Sequence, residues 1–131
     1  MKIGILGGSF DPIHNGHLML GETAYHQFRL DKVWFMPNGN PPHKMNEKIE
    51  SQTKHRVEMV RRAIEDKEGF VLQLYEVERK EINYSYLTME HFRKVYPEYE
   101  FHFVTSGKAE VKSRNVTKQI CEGEYLIVSP N

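Results

Sequence analysis

The sequence predicts an α/β domain, a parallel sheet with helices on both faces. Short apolar or aromatic runs, among them Ile3–Leu6, Val33–Met36 and Phe70–Leu74, alternate along the chain with longer stretches of helical period. Strands separated in this way by helices need crossover connections, which lay the helices over the faces of one sheet. At 131 residues the whole of 1–131 reads as a single domain, long enough to bury about two-thirds of its unfolded surface.

The first strand, Lys2 to Leu6, is too short for a helix and enters Gly7-Gly8-Ser9-Phe10-Asp11-Pro12-Ile13-His14-Asn15-Gly16-His17. Gly7 and Gly8 end it by permitting positive φ and a close backbone approach. Asn15 and Gly16 suit a helix entrance, and Leu20, Ala24 and Phe28 share a face with His17, so the helix is expected to start near His17. Lys32 to Met36 is the second strand, closed by Pro37, and there Trp34 reads as core rather than as a stacking platform. Pro37 to Lys44, with three prolines and a glycine, is a loop of restricted shape that runs on to about Glu50.

Ser51 then caps a helix carrying Val57, Val60, Ala63 and Ile64 inward, with Arg56, Arg61 and Arg62 on other faces. Phe70 to Leu74 is the third strand, and Glu76 to Glu81 is a charged connection. Tyr84 to Tyr96 reads as a helix with Met89, Phe92, Val95 and Tyr96 inward, stopped by Pro97. Tyr99 to Thr105 is the fourth strand. Lys108 to Gln119 has weak helical character, diluted by Ser113, Asn115 and Thr117, and Glu124 to Ser129 is the fifth strand. Ligands of such folds sit at the carboxyl ends of the strands, which puts the loops after Leu6, Met36, Leu74 and Thr105 on one rim.

Composition narrows the function. Lys plus Arg and Asp plus Glu are equal at 18 each, so no net field draws in nucleic acid and an anion site must be built locally. The single Cys121 excludes an intramolecular disulfide and a multi-cysteine metal site, and a reducing, cytoplasmic setting is expected. No run of eighteen apolar residues marks a membrane span. Four of the seven histidines, His14, His17, His43 and His55, fall in the stretches that carry chemistry, although His55 alone reads as a helix-surface residue.

That chemistry is anion handling. Amides of a glycine-rich turn and of a helix N-terminus can converge on one spot, where the helix dipole favours an anion by roughly 0.3–1 kcal/mol at exposed sites. His14 and His17, three apart at the same end, add imidazole donors suited to charge developing on a transferring phosphoryl group.

On these residues the chain resembles the HxGH nucleotidyltransferases, and specifically the bacterial nicotinate-nucleotide adenylyltransferases, which implies a Rossmann-like fold of nucleotidyltransferase type. Pro41-Pro42-His43-Lys44 is similar to the loop bordering the mononucleotide site in that family, His55-Arg56-Val57-Glu58-Met59 to its following helix, and Tyr84-Ser85-Tyr86-Leu87-Thr88 more loosely to its Ser-Tyr-Thr segment. The resemblance implies adenylyl transfer from ATP, accompanied by Mg²⁺, to nicotinate mononucleotide, yielding the dinucleotide precursor of NAD and pyrophosphate. It assigns catalysis to His14 and His17, and ATP phosphate binding to Gly7, Gly8, Ser9, Phe10 and His17. The acceptor falls to His43, Lys44, Ser85, Tyr86 and Thr88, with no protein-held metal. Assembly into a homo-oligomer is left open.

The likeness covers about residues 2 to 105. Where the family shows Gly-x-Asp after the fourth strand, this chain has Ser106-Gly107-Lys108-Ala109, and the family's C-terminal Ile-Ser-x-Thr-x-x-Arg motif is not seen before Asn131. Two alternatives therefore stand beside the enzyme: a truncated or divergent nucleotide-binding module, and an adenylyltransferase for another acceptor such as phosphopantetheine, against which the Pro-Pro-His-Lys loop argues.

Overall fold

The computed structural model describes residues 1–39, 47–79, 85–105, 109–112, 117–120 and 125–128. In chain order they form β1 (Lys2–Gly8), α1 (Asn15–Gln27), β2 (Lys32–Pro37), α2 (Glu47–Ile64), β3 (Phe70–Leu72), α3 (Tyr75–Glu78) and α4 (Ser85–Val95). There follow β4 (Glu100–Thr105), β5 (Ala109–Lys112), β6 (Thr117–Ile120) and β7 (Tyr125–Val128). The main sheet has the order β3-β2-β1-β4-β7, with β3, β2, β1 and β4 parallel.

Period-two alternation along the central strands sorts their side chains onto two faces, and each face is covered by helices. Ile3 and Ile5 of β1, Trp34 and Met36 of β2, and Phe101 and Phe103 of β4 pack with Met89 and Phe92 of α4. Leu6, Val33, Phe35 and Val104 face the other way, onto Ala24 of α1 and Val60 and Ile64 of α2. Trp34 is core as expected, its ring meeting Phe92 edge-on at 5.2 Å. Gly21 lets α1 approach β2, for a Cβ there would lie 2.7 Å from the Phe35 ring.

Several expectations are corrected. The fifth strand joins the sheet, but antiparallel, with Phe101 opposite Val128 and Val104 opposite Tyr125. A parallel return needs a crossover, usually a helix. The described part of Lys108–Gln119 is instead the hairpin β5–β6, in which Ala109 pairs with Ile120 and Lys112 with Thr117. The β-branched Val111, Thr117 and Ile120 favour that outcome over a helix. Part of the charged connection is the short helix α3, with Glu76 buried, and α2 begins at Glu47, a turn before Ser51. Val95 is 50% exposed, because the inward stripe of α4 runs through Thr88, Met89 and Phe92. Among the described residues no helix is long and apolar enough to cross a membrane.

The strand order turns at β1: the chain moves outward through β2 and β3, then returns to the other side of β1 as β4. The loop after Gly8 thus leaves the sheet at its topological switch point, where α/β folds open a crevice for ligands.

Candidate active site

The loop between β1 and α1 is shaped by one inward-turning residue. Phe10 takes φ 50, in the left-handed region that bulky residues rarely occupy. Its ring is 2% exposed and reaches His17 edge-on at 5.0 Å and Phe35 at 6.1 Å. Ser9, just before it, stays exposed. Gly7 and Gly8 are the last residues of β1, half-buried and in register with Met36 and Pro37 of β2. Phe10 therefore supports the loop from beneath, while Ser9, Asp11, Pro12 and His14 lie on its exposed side.

Helix α1 starts at Asn15, two residues before the expected point, because His14 is its N-cap. The Gly16 N–H donates to His14 Nδ1 at 3.1 Å, and the His14 N–H donates to His17 Nδ1 at 3.1 Å. This is a capping box built from two imidazoles. It also explains the glycine between them: a Cβ on Gly16 would lie 2.9 Å from His14 Cε1 and 3.0 Å from its Nδ1, displacing the ring.

The caps fix the tautomer. Each Nδ1 accepts a hydrogen bond, so in the neutral ring the hydrogen sits on Nε2, and the Nε2–H edge is turned away from the backbone. The two rings stand 3.8 Å apart, tilted by 32°. Burial, and then the proximity of His14, hold the His17 pKa below the ordinary histidine value. What α1 offers an anion here is mainly this pair of imidazole donors, since the Gly16 amide is already engaged. No acidic residue in its first turn offsets the dipole.

One residue that sequence reasoning placed elsewhere joins the site. Arg56 of α2 is 6% exposed. Its Nη1 donates to the Ser9 carbonyl, and its Nη2 donates to the Asn38 carbonyl at 3.1 Å and lies 3.5 Å from Thr53 Oγ1. Burial lowers its pKa and the charge of Asp11 opposes that shift, while a guanidinium stays protonated regardless. The signal is present in the spacing, for Arg56, Val60 and Ile64 are four residues apart on one face, whereas its charge places Arg56 on another face than the inward stripe.

The expected residues are gathered unevenly. Gly7, Gly8, Ser9, Phe10, His14 and His17 belong to one loop and helix start, whereas His43 and Lys44 lie outside the described residues. Ser85 and Tyr86 open α4, and Thr88, one turn in, is 1% exposed with no hydrogen-bond partner for its hydroxyl among the described residues. His55 is exposed, as anticipated for a helix-surface residue. Lys108, considered for the acidic position, is also outside the described residues. A separate groove of about 400 Å³ between α2 and α3, lined by Thr53, Val57, Leu74 and Val77 among others, contains none of the loop or histidine groups.

Comparison with known proteins agrees with this fold. The profile of the cytidylyltransferase-like family matches residues 5–127. A probable nicotinate-nucleotide adenylyltransferase of Desulfitobacterium hafniense is 44% identical over 108 residues, covering 82% of this chain and 52% of its own. Its counterpart in Clostridium botulinum is 49% identical over 106 residues, covering 81% and 52%. The chain spans about half the length of the curated relatives it matches. Plasmodium falciparum nicotinic acid mononucleotide adenylyltransferase, solved in complex with APC and with NaAD, superposes with TM-scores of 0.59 and 0.57 at 24% identity. Those alignments cover 78% of this chain and 49% and 50% of the other, and at that identity they speak to the fold alone.

Proposed function

The chain belongs to the cytidylyltransferase-like family, and from that premise we propose that it serves adenylyl transfer from ATP to nicotinate mononucleotide. In this reaction a phosphate oxygen of the mononucleotide attacks the α-phosphorus of ATP. The bond to the α,β-bridging oxygen breaks, and pyrophosphate leaves with the electron pair, so no covalent enzyme intermediate is required. The observation that carries the reading is the reciprocal cap of His14 and His17, which directs two imidazole N–H edges outward at the switch point of the sheet. The acceptor is suggested by the relatives at 44–49% identity.

In this mechanism His14 and His17 act as neutral Nε2–H donors to phosphoryl oxygens rather than as acid and base. Such preorganised donors help most where charge develops in the transition state. Ser9 and the Gly7–Gly8 backbone border the phosphates, and Phe10 holds that backbone in place. His43 and Lys44 are assigned to the acceptor phosphate, with Ser85, Tyr86 and Thr88 on the side of its ring. We place Mg²⁺ with the triphosphate of ATP, since it commonly binds through substrate phosphates and few carboxylates. Among the described residues no group of three or more His, Cys, Asp or Glu is arranged to hold a metal ion, and no step here runs through one.

The test is pyrophosphate release from ATP plus nicotinate mononucleotide, with His17→Ala beside the parent chain. The substitution is expected to lower turnover by about 100-fold or more, as for loss of a transition-state donor. It should cost no more than about 2 kcal/mol of stability, the upper range for a lost cap. Unchanged turnover would sink the assignment. A second reading, nucleotide binding without turnover, is favoured by Lys108 and Ala109 standing where the family has an acidic residue. ATP binding with no pyrophosphate release by the parent chain would select it.

A further inference from the structure

We propose that Arg56 is a positioning residue of this site: its buried guanidinium ties the phosphate loop after β1 to the loop after β2, and so sets where Ser9 and the His14–His17 pair stand. The inference rests on the nucleotide-binding reading above and goes beyond it, because Arg56 itself is not assigned to any substrate.

Three observations converge. First, the bonding is divided between loops: Nη1 holds the Ser9 carbonyl and Nη2 the Asn38 carbonyl, while Asn38 Oδ1 lies 3.5 Å from Nη1. The same two loops are joined by the backbone, the Asn38 N–H donating to the Gly8 carbonyl at 2.8 Å. Second, the guanidinium has little freedom. Val60 and Ile64, on the same stripe of α2, are 0% and 3% exposed, which fixes the rotation of the helix. The planar fork then admits carbonyls in few directions, something a lysine ammonium on a flexible stem cannot reproduce.

Third, the charge is spent on carbonyl groups. The other α2 arginines behave differently: Arg61 and Arg62 bind Glu58 at 2.7 and 3.1 Å on the surface, with side chains 51% and 76% exposed. A buried cation satisfied by two loop carbonyls costs desolvation that an apolar side chain would avoid. Simple packing does not account for its placement. Ser9 carries the Arg56 bond and immediately precedes the strained turn at Phe10, so releasing its carbonyl frees an exposed residue of the phosphate loop.

The experiment combines amide hydrogen exchange with ATP titration on the full chain, for the parent, Arg56→Lys, Arg56→Ala and, as control, Arg62→Ala. Arg56→Lys keeps the charge and guards against a variant that does not fold. Expected is loss of protection at the Asn38 amide in Arg56→Lys, with ATP affinity lower by about tenfold or more in the folded protein, as for a lost charge-assisted hydrogen bond. Arg62→Ala should change neither. Unchanged Asn38 protection in Arg56→Lys overturns the tie. Lost protection with unchanged ATP affinity overturns the positioning role, since a purely structural residue alters stability without altering the affinity of the folded state. A parent chain that binds no ATP overturns the functional reading instead, and the positioning role with it.

Discussion

Gly16 shows how much chemistry a single missing methyl can carry. Its hydrogen is what lets the His14 ring fold back onto the Gly16 amide. Gly16→Ala is therefore expected to leave the fold standing, at a cost of about 1 kcal/mol for the lost cap, while turnover drops nearly as far as in His17→Ala. Urea unfolding beside pyrophosphate release separates the two effects. Protonation attacks the same feature, because an imidazolium has no lone pair with which to accept the capping N–H. His17 has its folded pKa lowered, so its contribution to stability is present above the ordinary histidine value of about 6.5 and is lost as pH falls below it. Nitrogen-15 spectra of the ring should report a neutral Nε2–H form at pH 7, and an Nδ1–H form would refute the assignment. The motif was legible in the sequence because glycines and histidines in that order leave few options. The reciprocal bonding was not, since spacing alone says nothing about which ring nitrogen faces the backbone. Arg56 was misplaced for a related reason: charge is a poor guide to burial when backbone carbonyls supply the partners.

Among the elements, the long periodic segments were read well and the short polar ones poorly. Strands β1, β2 and β4 follow from apolar runs that end at glycine or proline or begin after a proline-marked turn. The β5–β6 hairpin has no such signature, for Glu110, Lys112, Lys118 and Gln119 are polar and only its β-branched residues hint at strand. Helix α1 meets the sheet through Gly21, which makes a prediction: Gly21→Ala gains up to about 1 kcal/mol of helix propensity. It also presses a Cβ against the fully buried Phe35 ring, and overpacking typically costs about 1–3 kcal/mol. A net loss of roughly 1 kcal/mol in urea unfolding is expected. Helix α3 carries the other prediction at this scale. Burial, partly opposed by Arg79, raises the Glu76 pKa to about 7 from 4.5. The folded state thus holds a proton that the unfolded state releases, and stability from this group is lost as pH climbs from 4.5 through 7. Glu76→Gln should match the parent near pH 4.5 and exceed it at pH 8, by about 3 kcal/mol. An advantage independent of pH would count against burial as the cause.

Across the whole molecule, β1 is the strand on which both halves depend, paired with β2 on one side and β4 on the other. Its two pairings differ greatly in reach along the chain. Ile3 meets Lys32 in one and Phe101 in the other, and closing the longer loop is the slower event on entropic grounds. In pulsed hydrogen exchange during refolding, amides shared by β1 and β2 are expected to gain protection before those shared by β1 and β4, and the reverse order would refute this. The same asymmetry governs synthesis. A ribosome delivers the glycines and histidines of the phosphate loop well before Glu100–Thr105, yet the sheet that holds them is closed only when that strand arrives. Between those two moments the nascent chain carries the letters of the site without the site.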